Sequence, residues 1–233
     1  MRRAIALSLL LVCTACARFP QTPEPAGTRL VFTLVTEAPV RTGLDPGDGG
    51  TPYIYMVALR PSEDPNPAAQ GPIPVVAPPW GNGFVAGGCT HFVWWDPAQA
   101  SEFTLYQFLN PDLQQWFPLG VPVNFERVRP GAHRITFELD LRQLAPSLED
   151  AARLQSLQVN FLTMDRVPVA GTSKFWDAIG DGRLAAEVNT FLTIPLNVSA
   201  TYDNARAGMI EPEGDTPDPA LDIVDWSVEV RRQ

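Results

Sequence analysis

Histidine and cysteine are scarce in this chain, and most of the short arrangements that carry chemistry are missing. Two histidines, His91 and His133, and three cysteines stand among 233 residues. No G-x-S-x-G string occurs, so the serine-hydrolase nucleophile elbow is absent. There is no H-E-x-x-H, and beyond Cys16 no C-x-x-C, so the common zinc signatures are excluded. Basic residues are outnumbered 17 to 26, giving a net charge of −9. An acidic chain is a poor partner for nucleic acid and for anionic lipid surfaces. No apolar run reaches the roughly 20 residues that a membrane-crossing helix needs.

The N-terminus has a pattern of its own. Met1-Arg2-Arg3 is a positive start, and Ala4 to Val12 is an apolar stretch too short to span a bilayer. Thr14-Ala15-Cys16 follows, which resembles the bacterial lipoprotein signal. That resemblance implies cleavage before Cys16 and acylation of its thiol. Cys13 is the competing position, but Val12 before it fits the small-residue rule worse than Ala15 does. Two or three acyl chains anchor stably where one is marginal. Cys13 then leaves with the signal and Cys16 is lipidated. Cys89 is left alone, so no internal disulfide is expected. Residues 1–15 read as the signal peptide, and 16–28, with three prolines and no periodicity, as a lipidated flexible tether. Residues 29–233 read as one domain, long enough for one sizeable core. The expected location is the cell envelope, lipid-anchored and facing periplasm or exterior.

The rest of the chain reads as short strands separated by turn signals. Ile135, Phe137, Leu139 and Leu141 alternate with Thr136, Glu138, Asp140 and Arg142, which places the apolar set on one strand face. Ser147 is a candidate N-cap for a short helix, Leu148 to Leu154, with Glu149 and Asp150 in its first turn. Leu157, Val159 and Phe161 alternate with Gln158 and Asn160 as a second strand. Further strands are expected at 30–36, 53–59, 92–95, 103–108, 125–128 and 191–196. A last one has Val224, Trp226, Val228 and Val230 on one face. Ala200 to Pro219 reads as a long acidic loop. One helix among many short strands predicts an all-β, antiparallel, jelly-roll-like sandwich with long Pro/Gly-rich loops.

One part of this pattern resembles a known family. A strand at ELDLRQL, a short helix, a strand at LQVNFLTMD and an acidic loop with a tryptophan are similar to family 9 carbohydrate-binding modules and related DOMON-type sandwiches. The run YIYMVALRPSEDPNPAAQGP resembles the strand and acidic loop that open such domains. The resemblance implies a sandwich fold and saccharide binding, with Asp165-Arg166 standing where those modules carry an acidic triplet.

Candidate sites follow from residue type and placement. Trp80, Trp116 and Trp176 are the tryptophans that strand alternation does not place. Exposed in loops, they would stack on sugar rings or grip a protein partner; otherwise they lid the ends of the sandwich. Asp165, Arg166 and Asp177 would then orient a ligand's hydroxyls. Trp94 and Trp95 are adjacent in a strand and must face opposite ways, while Trp226 belongs to the core. Asp165, Asp177 and Asp181, or Asp45 and Asp48, offer clustered oxygens for a structural calcium, although aspartates also occur simply as turn residues. Cys89 and His91 stand two residues apart, about 7 Å in a strand, too far for a thiol–imidazole pair without a bend. Glu138 and Asp140 have a spacing compatible with a glycosidase pair but read as a solvated face. No catalytic residue is assigned. The expected function is a non-catalytic ligand-binding sandwich, with a saccharide as ligand. The alternative is a structural or assembly lipoprotein that docks another envelope protein, and a hydrolase comes third. A cleft of aromatic and polar groups marks the first, an apolar patch or uncovered edge strand the second, and close carboxylates of raised pKa the third.

Overall fold

The structure is a computed structural model that describes residues 27–43, 52–68, 70–74, 82–165, 174–184, 187, 189–206 and 211–232. Its strands are β1 (Thr28–Thr36), β2 (Ile54–Ser62), β3 (Pro72–Pro74), β4 (Val85–Gly87), β5 (His91–Trp95), β6 (Phe103–Phe108) and β7 (Trp116–Gly120). They continue as β8 (Asn124–Phe125), β9 (Arg134–Asp140), β10 (Ser156–Met164), β11 (Trp176–Ala178), β12 (Leu192–Pro195), β13 (Ala200–Asp203) and β14 (Ile223–Arg232). The helix α1 (Leu148–Arg153) starts where Ser147 caps it by accepting the Asp150 N–H. A five-stranded sheet runs β13-β14-β1-β9-β8. A seven-stranded sheet runs β11-β10-β2-β5-β6-β7, with β12 end to end with β11 along the same side of β10. All the pairings are antiparallel, and β3 and β4 form a separate hairpin-like pair. This is an all-β sandwich.

Alternation builds the layer between the sheets. Leu30, Phe32 and Leu34 of β1 and Ile135, Phe137 and Leu139 of β9 point inward with Trp226, Val228 and Val230 of β14. They meet Tyr55, Val57 and Leu59 of β2, Val93 and Trp95 of β5, and Leu157, Val159 and Phe161 of β10. Phe32 stacks on Phe137 within one sheet, and Phe161 stacks on Trp226 across the sandwich with centroids 6.0 Å apart. Two alternations end earlier than expected. The strand stops at Asp140, whose capping box with Gln143 turns the chain into a 3-10 helix at Leu141–Leu144; Leu141 is buried there as part of that turn. In β14 a register shift opposite Val35/Thr36 puts Ile223, not Val224, into the core. A bulge inserts one residue and so exchanges the two faces locally.

The seven-stranded sheet is covered on both faces, which its sequence does not announce. Ile54, Met56, Phe92, Leu162 and Met164 on its outer face pack with Phe84 and Val85 of the β3–β4 region, forming a second apolar cluster. Gln158 and Asn160, which alternate with core residues, are therefore buried rather than wet. They are satisfied by protein: Asn160 donates to the Pro72 and Thr190 carbonyls and accepts from Ile179 N–H, and Gln158 accepts from Arg60. Trp95 enters the inner core, while Trp94 lies on the outer face against the Phe84 ring. The stretch expected as a loop from Ala200 begins with β13, four residues paired to β14 from Ala200↔Val230 to Asp203↔Ser227.

Candidate functional site

Three carboxylates, Asp177, Asp215 and Asp222, converge where β11, β14 and the loop before β14 meet, and a fourth acid, Glu211, is buried in the same loop. Asp177 comes from the middle of β11, Asp222 immediately precedes β14, and Glu211 and Asp215 come from the connecting loop. Ligand-type oxygens of Asp177, Asp215 and Asp222 all lie within 4.8 Å of one another. Backbone N–H groups hold each acid from outside. Asp177 accepts from Ala178 and from Ile223 at 2.9 and 2.7 Å. Glu211 Oε2, Asp215 Oδ2 and Asp222 Oδ2 accept from Gly180, Gly182 and Gly214 at 2.9, 2.7 and 2.8 Å. The glycines are suited to the role: Gly180 and Gly214 have φ of +99° and +77°, and a Cβ on Gly182 would lie 3.2 Å from Asp215 Oδ2.

The electrostatics are those of crowded acids. Burial, then the charge of Asp215, pushes Asp177 up to about 8. Burial, then the charge of Asp177, pushes Glu211 to about 10. Burial, followed by the hydrogen bond and charge of Asp222, raises Asp215 to about 6. Arg183 is within electrostatic reach of Asp215 and Asp222, but its guanidinium is engaged with Asp181 at 2.8 Å. Asp177 and Asp215 also border a cleft of about 200 Å³, with Lys174, Phe175, Trp176 and Thr216 around it. Lys174 is half spent there, donating to the Gly83 carbonyl at 2.9 Å and pushed down to about 8 by burial.

The other sequence candidates are distributed differently. Cys16, Trp80, Arg166, Asp45 and Asp48 lie outside the described residues. Trp176 borders the acidic cleft together with Asp177. Trp116 sits on β7, at the opposite edge of the same sheet, with its ring against Phe84, Phe92 and Phe108. Five strand spacings separate β11 from β7, roughly 24 Å, so these two rings do not share a site. Asp165 accepts from Phe175 N–H, and Asp181 is paired with Arg183. Of the three acids grouped by sequence for calcium, Asp177 alone belongs to the convergent set.

Cys89 and His91 do not address each other. The thiol donates to the Leu59 and His91 carbonyls and is pushed up to about 12 by burial, while burial lowers His91 to about 4. A neutral thiol beside a neutral imidazole is no nucleophile. The Glu138–Asp140 pair is not a solvated face either. Asp140 is buried, 3.5 Å from Arg29 and paired with Arg142. Burial works to raise its pKa, but the hydrogen bonds and charge of Arg142, with Arg29 behind, hold it below the usual carboxylate range.

A second surface stands out at the other edge. β7 pairs only with β6, so its far side is an unpaired strand edge among the described residues. Trp116 turns to the outer face, and the alternate residues Phe117 and Leu119 are 37% and 41% exposed. Val121 and Val123, just after β7, and Leu109, just after β6, are exposed as well. Pro118 and Pro122 lie in this stretch, and neither carries an N–H to offer a partner strand. Its composition, WFPLGVPV, hid it as a strand: two prolines and a glycine in eight residues read as a loop.

In comparisons with known proteins, the chain matches no family model, no curated protein and no solved structure.

Proposed function

We propose that this chain is a membrane-anchored extracytoplasmic lipoprotein whose sandwich is non-catalytic and docks another envelope protein. The observation that carries the docking is the β7 edge: Phe117 and Leu119 are exposed on a strand that is unpaired on one side among the described residues, and Val121, Val123 and Leu109, at the strand ends, are exposed apolar residues too. Exposed apolar surface of this kind favours a partner of matching apolar character. The two prolines break the row of donors, so the contact is made by burying side chains and not by extending the sheet. The same prolines guard against edge-to-edge self-association. The anchor rests on Arg2-Arg3, the apolar stretch after them and Ala15-Cys16.

A saccharide is the weaker reading. Trp176 with Asp177 and Lys174 gives a cleft one aromatic and a few polar groups, but Trp116 lies at the far edge of the sheet. The test is co-purification from detergent-solubilised membranes. Leu119→Lys combined with Phe117→Ser should release a partner that the parent chain retains. Both side chains are exposed, so folding should be unaffected. Retention of the same partner by the double variant would remove β7 as the docking surface.

A further inference from the structure

We infer that a second cleft, on the outer face of the seven-stranded sheet, binds a small organic acid, with its carboxylate on Arg60 and its apolar body against Phe108, Leu109 and Pro111. The cleft has a volume of about 310 Å³ and lies between the ends of β2, β4 and β6. This goes beyond the docking reading. The two share Leu109, so the inference is tested at Arg60, which docking through β7 does not use.

The first observation is a cation without a counter-charge. Among the described residues the partly buried arginines are Arg29, Arg41, Arg60 and Arg142. Arg29 and Arg142 are paired with Asp140, and Arg41 with Asp218. Arg60 is paired with no described carboxylate, yet its side chain is fixed. Its Nη1 donates to Gln158 Oε1 at 3.1 Å and to the Gln70 carbonyl at 3.4 Å. Gly88 makes the room: a Cβ there would lie 3.0 Å from Arg60 Cδ and 2.2 Å from the Gln70 carbonyl oxygen. The opposite edge of the guanidinium, Nε and Nη2, donates to nothing among the described residues, and neither atom is sealed from solvent. Arg183 holds Asp181 by that same edge, and Arg142 holds Asp140 by it. Two parallel N–H groups in one plane fit the two oxygens of a carboxylate.

The second observation is the wall of the cleft. Asn110 borders it, and the side-chain amide of Asn110 has no partner at either end among the described residues; its Oδ1 is buried without a donor. A buried acceptor left unmatched is costly, so turning this amide to a polar group of a bound ligand recovers stability. Phe108 is buried and backed by the rings of Phe92 and Trp116, which gives the cleft a rigid apolar side. Leu109 is 59% exposed, apolar area that a ligand body would cover. Charge and size set the class. One guanidinium supplies one unit of charge in a chain whose net charge is −9, so the rest of the surface repels a multiply charged ligand more than a monoanion. The volume is at the small end for ligand clefts, which suits a small molecule and not a polymer chain.

The full-length chain, purified in a non-ionic detergent, should be titrated by calorimetry with N-acetylphenylalanine, with its carboxamide and with phenyl phosphate. The acid should fill one site per chain with a Kd of about 10⁻³ M or tighter. The carboxamide, which keeps the ring and loses the charge, should bind about tenfold or more weakly, and phenyl phosphate should also bind more weakly than the acid. Arg60→Gln should weaken the acid by about tenfold or more. Arg60→Lys keeps the charge and loses the planar edge, so it should weaken the acid as well. Arg60 also holds Gln158, so circular dichroism checks that both variants fold; the acid-against-carboxamide comparison on the parent chain needs no variant. Four results would overturn the inference: no saturable binding of the acid, equal binding of acid and carboxamide, tighter binding of phenyl phosphate, or parent-like affinity in either folded variant.

Discussion

Phe161→Ala is the sharpest probe of how the two sheets are held. Phe161 is fully buried in the middle of β10, opposite Val57 in the neighbouring strand, and its ring stacks on Trp226 of the facing sheet. Losing a fully buried side chain of this size forfeits about 1.5–3 kcal/mol of transfer free energy. The cavity left between two sheets that cannot close on it adds further cost, which brings the total to about 3–5 kcal/mol. For a chain of this length, each kcal/mol moves the melting temperature by about 2–4 °C, so a fall of roughly 6–20 °C is expected. Urea unfolding followed by tryptophan fluorescence gives the free energy, with Trp226 reporting from the site itself. The midpoint should move while the slope stays constant. Phe117→Ala on the exposed β7 edge is the matched control and should cost no more than about 0.5 kcal/mol. A loss below about 1 kcal/mol at Phe161, or equal losses at the two positions, would refute the assignment of Phe161 to the inter-sheet core.

His91 contributes stability that acid removes. Its folded pKa, about 4, is below the ordinary 6.5 because burial disfavours the charged ring. The unfolded chain therefore binds the extra proton on His91 between those values, so the contribution of His91 is complete above about 6.5 and is lost as pH falls toward 4, by about 3 kcal/mol in all, while the raised Asp177, Glu211 and Asp215 contribute in the opposite sense over that range. The stability of the parent relative to His91→Gln should fall by that amount between about pH 6.5 and 4; a difference that does not change with pH would refute the shift at His91. At the N-terminus, Cys16→Ser should abolish acylation and move the protein out of the detergent-extracted membrane fraction. Mass spectrometry finding an unmodified mature end beyond residue 16 in the parent chain would disprove the lipid anchor.

The inner layer was legible because a period of two is enforced by burial. Phe32, Phe137, Phe161 and Trp226 cannot change faces without losing the core, so the sequence at those strands has little freedom. Other parts are set by tertiary contacts that leave no local trace. The polar Gln158 and Asn160 look like a wet face, yet Gln158 accepts from Arg60 of the neighbouring strand and Asn160 donates to the Pro72 and Thr190 carbonyls. Ile223 replaces Val224 in the core through a bulge that composition does not encode. β7 and β13 were masked by prolines, glycine and polar residues that a strand tolerates at a sheet edge. The acid cluster was legible only at Asp177. Its partners Glu211, Asp215 and Asp222 are far away in sequence and come to it because Ile223 donates its N–H to Asp177 at the start of β14. A signal did exist: acids concentrated between Glu211 and Asp222 with Gly214 among them, the mark of a turn that carries ligand-type oxygens.

The central claim, docking through the β7 edge, is tested most directly by site-specific photo-crosslinking in intact cells. A photoreactive residue at Leu119 and, in a separate protein, at the exposed Thr201 of β13 would sample opposite regions of the sandwich. The account predicts one discrete adduct to another envelope protein from position 119 and none from 201, with the adduct lost when Phe117→Ser is added. Equal labelling from both positions, no adduct from 119, or an adduct consisting of two copies of this chain would contradict it.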